Sequence, residues 1–166
     1  AGIVLAVLIV YVLLGGADFG GGVWDLFATG PRAARQREAV SRAIGPIWEA
    51  NHVWMIVAVV ILFTAFPAAF SAIMTALHIP ISLMLVGIVL RGSSFVFRKV
   101  DAADPSGRSV WQQVFAISSL ITPVMIGVIV GTLSTPAIDW RDGIAHGGFV
   151  GPWLQPVAWI VGLFTV

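Results

Sequence analysis

Apolar runs of roughly 20 residues or more occur four times in this chain and a fifth begins near its end, each of the four long enough to carry a helix across a hydrocarbon core of about 30 Å. They lie at Gly2 to Phe27, Ile44 to Phe66, Ser71 to Phe97 and Val110 to Ser134, with the last starting at Trp153. A buried soluble helix would keep a polar stripe, whereas apolar residues surround each of these segments on every face. Of 166 residues 58% are hydrophobic and 10% charged, with mean hydropathy +0.98, against about a quarter charged in a soluble domain. The expected fold is therefore an all-α polytopic transmembrane helix bundle of four spans plus the start of a fifth.

Both ends fall inside apolar runs, so the sequence reads as a segment of a longer protein. The first run has no basic leader or cleavage site and reads as a span, not a targeting peptide. The expected organisation is a first four-helix unit over residues 1–135, an extracytoplasmic loop over 136–152, and the truncated start of a second helical unit over 153–166. A net charge of +1 lends no support to nucleic-acid binding, and with Cys at 0 there are no disulfides, thiolate-held metals or iron-sulfur clusters.

The loops set the orientation. Arg32, Arg35, Arg37 and Arg42 lie in the first and Arg98, Lys99 and Arg108 in the third, while the second, around Pro67, is uncharged and the fourth sets Arg141 against Asp139 and Asp142. Basic loops face the cytoplasm, which places the first and third loops inside and the N-terminus outside. Trp24, Trp111, Trp140 and Trp153 fall near span ends, where an indole is favoured at the headgroup level.

Four groups inside the spans are foreign to lipid: Asp18, Glu49, His78 and Arg91. An intramembrane ionisable group calls for a partner or a function. Counted from the nearest span ends, Asp18, Glu49 and Arg91 sit roughly 8 to 14 Å below the same cytoplasmic surface at 1.5 Å per residue. Arg91 can pair with Asp18 or with Glu49, and an ion pair that merely holds three helices in register would need no chemistry. Two acids for one base, however, leave one carboxylate without a full countercharge, which is a property of proton-carrying groups. The chain alone does not say which acid is the spare one.

Histidines on membrane helices invite a haem reading, yet His52 lies near the cytoplasmic side and His78 near the outer side, about 15 Å apart in level, too far to share one haem. His78 precedes Ile79-Pro80, and the backbone carbonyl a proline frees suggests a local hydrogen-bonding role. His146 lies in a glycine-rich outer loop and is expected to be solvated. Gly15, Gly16, Gly20, Gly21 and Gly22 surround Asp18. Gly16 with Gly20 forms a small-xxx-small pair suited to close helix approach, while a dinucleotide fingerprint would need a preceding strand that is absent.

GGADFGGG (Gly15 to Gly22), IGPIWEANHVW (Ile44 to Trp54), LFTAFP (Leu62 to Pro67) and VLRGSSFVFR (Val89 to Arg98), in this order, resemble subunit II of the cytochrome bd quinol oxidases, with PVMIGVIVGTL (Pro123 to Leu133) a looser match. The resemblance implies the N-terminal half of a non-haem subunit of a quinol:dioxygen oxidoreductase in a bacterial or archaeal cytoplasmic membrane. It implies no catalytic group, cofactor or metal on this chain: quinol is the substrate of the complex, and two haems b and one haem d belong to subunit I. Further expected neighbours are membrane lipid, a structural quinone and small accessory membrane subunits.

The resemblance also gives the spare acid a task. A carboxylate at the position of Glu49 implies a proton path from the cytoplasm, with His52 and Asp18 as further candidates and Arg91 as the charge partner. Where the family more often has Asp followed by Gly, this chain has Glu49-Ala50, and His52 stands where Glu or Gln is more usual. Two other classes share these features: a proton-coupled transporter, whose midplane charges and glycine-interrupted helices look alike, and a purely structural assembly subunit.

Overall fold

The computed structural model describes residues 2–97, 110–141, 144–146, 148 and 150–166, with the side chains of residues 139–147 excepted. The fold is helical: α1 (Gly2–Phe27), α2 (Ala33–Ala65), α3 (Pro67–Ala76), α4 (His78–Phe97), α5 (Val110–Leu133) and α6 (Pro156–Phe164). Four of them, α1, α2, α4 and α5, are long and apolar enough to cross a membrane. In the segment between α5 and α6, where no regular structure was expected, β1 (Asp139–Arg141) and β2 (Ile144–His146) pair antiparallel, Trp140 opposite Ala145. Arg98, Lys99, Arg108 and Asp142, used for the orientation, lie outside the described residues, as do the side chains of Trp140, Arg141 and His146.

The first span has the expected bounds, but the second helix starts at Ala33 instead of Ile44. Hydropathy locates only the part of a helix that can sit in lipid, whereas the preceding Ala33 to Arg42 segment is rich in strong helix formers and continues the same rod outward. The helix runs on through Pro46. The first loop therefore shrinks to a short turn around Gly30, whose φ of 81° is open to glycine. Arg37 Nη2 donates to the Ala28 carbonyl at 2.6 Å, placing a cation at the C-terminal end of α1, where orphan carbonyls and the helix dipole favour it.

The third span is also different from the expectation. It is divided at Leu77 into α3 and α4, and the loop expected around Pro67 reduces to Phe66, with Pro67 opening α3 at the position where a missing N–H costs nothing. Pro80 lacks the N–H that would bond the Ala76 carbonyl, and its ring crowds that turn, which accounts for the break. Leu77 is thereby turned wholly inward to a cluster with Ala76, Ile81 and Ile138, joined by Trp153. His78 Nδ1, exposed, donates to the Thr75 carbonyl at 3.0 Å, the local role expected of it.

The most extensive packing joins α1 to α2, α4 to α5, and α5 to α6, with α1 also lying on α5. Large apolar side chains point outward, among them Leu13, Phe63 and Val89, as suits a lipid-facing surface. Without a hydrophobic drive between helices in lipid, close approach of small residues must hold the bundle. Gly22 faces Ser119 so closely that a Cβ there would overlap its Oγ and Cβ, and Gly21 meets Ile44 in the same way. Gly16 and Gly20, the pair singled out by spacing, instead have open space around them. The Ser118, Ser119, Thr122 and Thr132 hydroxyls on the buried face of α5 donate to carbonyls of their own helix, so they require no partner across the interface.

Overpacking at the α1–α5 contact gives a direct check. Gly22→Ala should lower the stability of the purified protein in detergent by about 1–3 kcal/mol, and Ser119→Gly in the same molecule should restore most of it. Thermal unfolding midpoints of the two variants measure this.

Candidate functional site

Helical periodicity places Tyr11, Gly15, Asp18, Phe19, Gly22 and Asp25 on one face of α1, all of them buried. Opposite that face α2 presents Trp48, Asn51, His52 and Met55, and α4 presents Ile88 and Arg91; Tyr11, Asp18 and Phe19 join these six around one small cavity. Among the described residues it is the place where polar groups from three spans meet.

Arg91 and Asp18 form its centre. Arg91 Nη2 lies 2.8 Å from Asp18 Oδ1, with both side chains almost wholly excluded from the surface, 1% and 2% exposed. The same Nη2 donates to the Asp18 backbone carbonyl. From α2, Asn51 Nδ2 donates to Asp18 Oδ2 at 3.3 Å. The guanidinium is sandwiched between aromatic faces, its Cζ 4.8 Å from the Phe19 ring centre and 5.0 Å from that of Phe115 on α5, a favourable position for a cation. All four membrane-crossing helices thus contribute to one charge pair.

Trp48 closes the α2–α4 side. Its ring stacks on His52 with centroids 5.9 Å apart and on Phe95 at 5.8 Å. Phe95 in turn meets Phe115 edge-on at 5.3 Å. A Cβ at Gly92 would stand 3.1 Å from Trp48 Cζ2, so glycine is what lets the indole lie across α4. Of the tryptophans assigned to span ends, Trp24 is exposed, Trp111 stacks on Phe97 at 4.6 Å, and Trp153 is packed inward against two apolar clusters.

Glu49 is placed elsewhere. The count of residues from the span ends gave it the same level as Asp18 and Arg91, but it does not share their layer as a contact: it is exposed on the outward side of α2 and does not line the cavity. The reason is angular. At 100° per residue, Glu49 shares its face with Val53, Ile56 and Val60, which are all exposed, whereas Trp48, Asn51, His52 and Met55 turn inward. Arg91 pairs with Asp18, and Glu49 has no hydrogen-bond or ion-pair partner among the described residues.

The places of three buried groups were not read from the sequence. Tyr11 lines the cavity but counts as apolar in a hydropathy scan. Asn51, an amide between two tryptophans in a span, is itself a signal, but its bond to Asp18 was not foreseen. Asp25, near a span end, is 0% exposed.

Residues 1–166 match the family described as cytochrome bd terminal oxidase subunit II. The chain belongs to that family. It is 35% identical to the cytochrome bd ubiquinol oxidase subunit 2 of Bacillus subtilis strain 168 over 133 residues, 79% of this chain and 38% of that relative. Against the cytochrome bd-I ubiquinol oxidase subunit 2 of Escherichia coli K12 the identity is 30% over 127 residues, 76% of this chain and 32% of the relative. This subunit II sequence therefore spans well under half the length of these relatives.

Haem is the cofactor implied by a cytochrome complex, and His52 and His78 of this subunit II are not placed to share one. His52 faces a cavity of about 10 Å³, room for one small molecule and not for a macrocycle. His78 lies at the other end of α4 from Arg91, roughly 20 Å along the axis at 1.5 Å per residue, so the two imidazoles cannot flank one iron. Among the described residues no three His, Asp or Glu side chains gather as a metal site.

The centre of the subunit II cluster depends on the flat guanidinium lying between Phe19 and Phe115 as well as on its charge. Arg91→Lys keeps the cation but loses the planar group that fills the space between the Phe19 and Phe115 rings. It should lower the thermal midpoint of the purified protein by the equivalent of about 1–3 kcal/mol, while Arg42→Lys, at an exposed ion pair with Glu38, should leave the midpoint unchanged.

Proposed function

We propose that this chain is part of the non-haem subunit II of a quinol:dioxygen oxidoreductase, where it supports a haem-bearing subunit I and contributes to proton uptake from the cytoplasm. What carries the proton role is the division of labour between the two acids. Asp18 is neutralised inside the subunit by Arg91, while Glu49 is left exposed in a stripe of Val53, Ile56 and Val60. A carboxylate on a face otherwise suited to lipid carries a desolvation cost unless another protein surface or a wet channel covers it. Subunit I is the partner that would do so.

In this reading the N-terminus is outside and the Arg-bearing end of α2 faces the cytoplasm, in agreement with Arg32, Arg35, Arg37 and Arg42 at the α1–α2 corner. Quinol, oxidised near the outer face, supplies electrons through the two haems b and the haem d of subunit I. Each electron that reaches oxygen must be matched by a proton if water is the product, and Glu49 stands where a proton entering from the cytoplasmic side could be handed to the partner. His52, three positions on and lining the cavity, and Asp18 beyond it are further members of the path. Membrane lipid, a structural quinone and small accessory subunits are further neighbours in this reading, and the cytoplasmic membrane of a bacterium or archaeon its location. Residues 1–135 form its first four-helix unit and residues 153–166 open the second across the 136–152 loop, with α6 already packed on α5.

A purely structural assembly role is the second reading, favoured by a charge pair that is satisfied within the chain. The transporter class has no support from the family match. Oxygen consumption separates the first two. Per assembled, haem-replete complex, Glu49→Gln should lower turnover on the order of tenfold or more, the usual loss when a proton-transfer group is removed. Turnover unchanged in Glu49→Gln and Glu49→Leu, with complex yield reduced, would leave the structural role alone.

A further inference from the structure

The cavity between α1, α2 and α4 carries an unfinished set of hydrogen bonds. Arg91 uses Nη2 on Asp18, while its Nε and Nη1 are buried with no partner. The faces of the guanidinium are covered by Phe19 and Phe115, so only its in-plane edge is available to a ligand. Asn51 gives Nδ2 to Asp18 and has a buried Oδ1 without a donor. The amide cannot be turned round to cure this, because an oxygen would then face the Asp18 carboxylate.

The missing partners are complementary: one acceptor on Asn51 and two donors on Arg91, on residues that line the same cavity. Its volume of about 10 Å³ is close to the minimum, on the order of 10–15 Å³, that holds one water. Phe19, Met55 and Ile88 in its wall offer neither donor nor acceptor. Because Asp18 and Arg91 together are neutral, an additional ion would be uncompensated, and a neutral molecule able both to donate and to accept is required.

We propose that this cavity is a binding site for a single ordered water, which donates to Asn51 Oδ1 and accepts from the free edge of Arg91. The water makes Asp18, Asn51 and Arg91 one closed hydrogen-bonded unit across three helices. Tyr11, Trp48 and His52 are the other side chains of the wall that carry polar atoms. The site is a property of the subunit's fold and holds whether or not protons pass through it.

A cryo-EM map of the intact complex at about 2 Å, where ordered waters elsewhere in the complex are visible, tests it. The expected result is one peak within hydrogen-bond reach, about 3.2 Å, of both Asn51 Oδ1 and an Arg91 nitrogen. In Asn51→Leu that peak should be lost while the Arg91–Asp18 pair stays. Direct contact of Asn51 Oδ1 and Arg91 with each other or with another side chain overturns the proposal, as does a cavity without density or a peak that persists in Asn51→Leu. Should Asn51→Leu fail to assemble, the map of the unaltered complex decides alone.

Discussion

The ion pair of Arg91 and Asp18 is the constraint on which the rest of the bundle turns. A guanidinium in the middle of an apolar helix has to be neutralised, and its countercharge comes from α1, 73 positions away in sequence. Meeting that requirement fixes how far α4 is rotated and how deep it sits relative to α1. Asn51 then ties α2 to the same carboxylate, and Phe115 brings α5 over the guanidinium. Buried ion pairs are weak evidence for net stability, because desolvation offsets much of the attraction. Their stronger effect here is on register: helices in lipid have no hydrophobic gradient between them, so one polar contact of defined geometry can choose among packings that small residues alone would leave nearly equal.

The same constraint divides the roles of the two acids. Asp18 is held inside the subunit by Arg91 and Asn51, its charge matched within the chain. Glu49, nearly level with it, is turned about a third of a helical circumference away and is left for whatever covers that face. In a family whose members are subunits of larger oxidases, an acid exposed on a lipid-type surface reads as part of an interface, and the proton role proposed for it follows from there.

Levels along the helices were legible in the sequence; rotations about their axes were not. Counting residues put Asp18, Glu49 and Arg91 at one depth, but only the neighbours decide that Asn51 and His52 face inward while Glu49 faces out. The bounds of α1 could be read directly from its apolar run. The start of α2 could not, because Ala33 to Arg42 is helical without being apolar, and the break at Leu77 is hidden by hydrophobic residues on both sides, with Pro80 its only sign. Glycine spacing pointed to Gly16 and Gly20, whereas the contacts fell to Gly21 and Gly22, whose partners Ile44 and Ser119 lie on other helices. Proton-path membership of Glu49, His52 and Asp18 came from family resemblance and remains part of the proposed function.

A double-mutant cycle between Asp18 and Arg91 measures the central interaction most directly. Thermal unfolding of the purified protein in detergent would be compared for Asp18→Asn, Arg91→Met and the two combined. Each single change leaves a buried group without its partner and should cost about 3–5 kcal/mol, and the double variant should cost clearly less than their sum, a coupling of about 2 kcal/mol or more. Losses that simply add, within about 0.5 kcal/mol, would show that the pair does not hold the helices together.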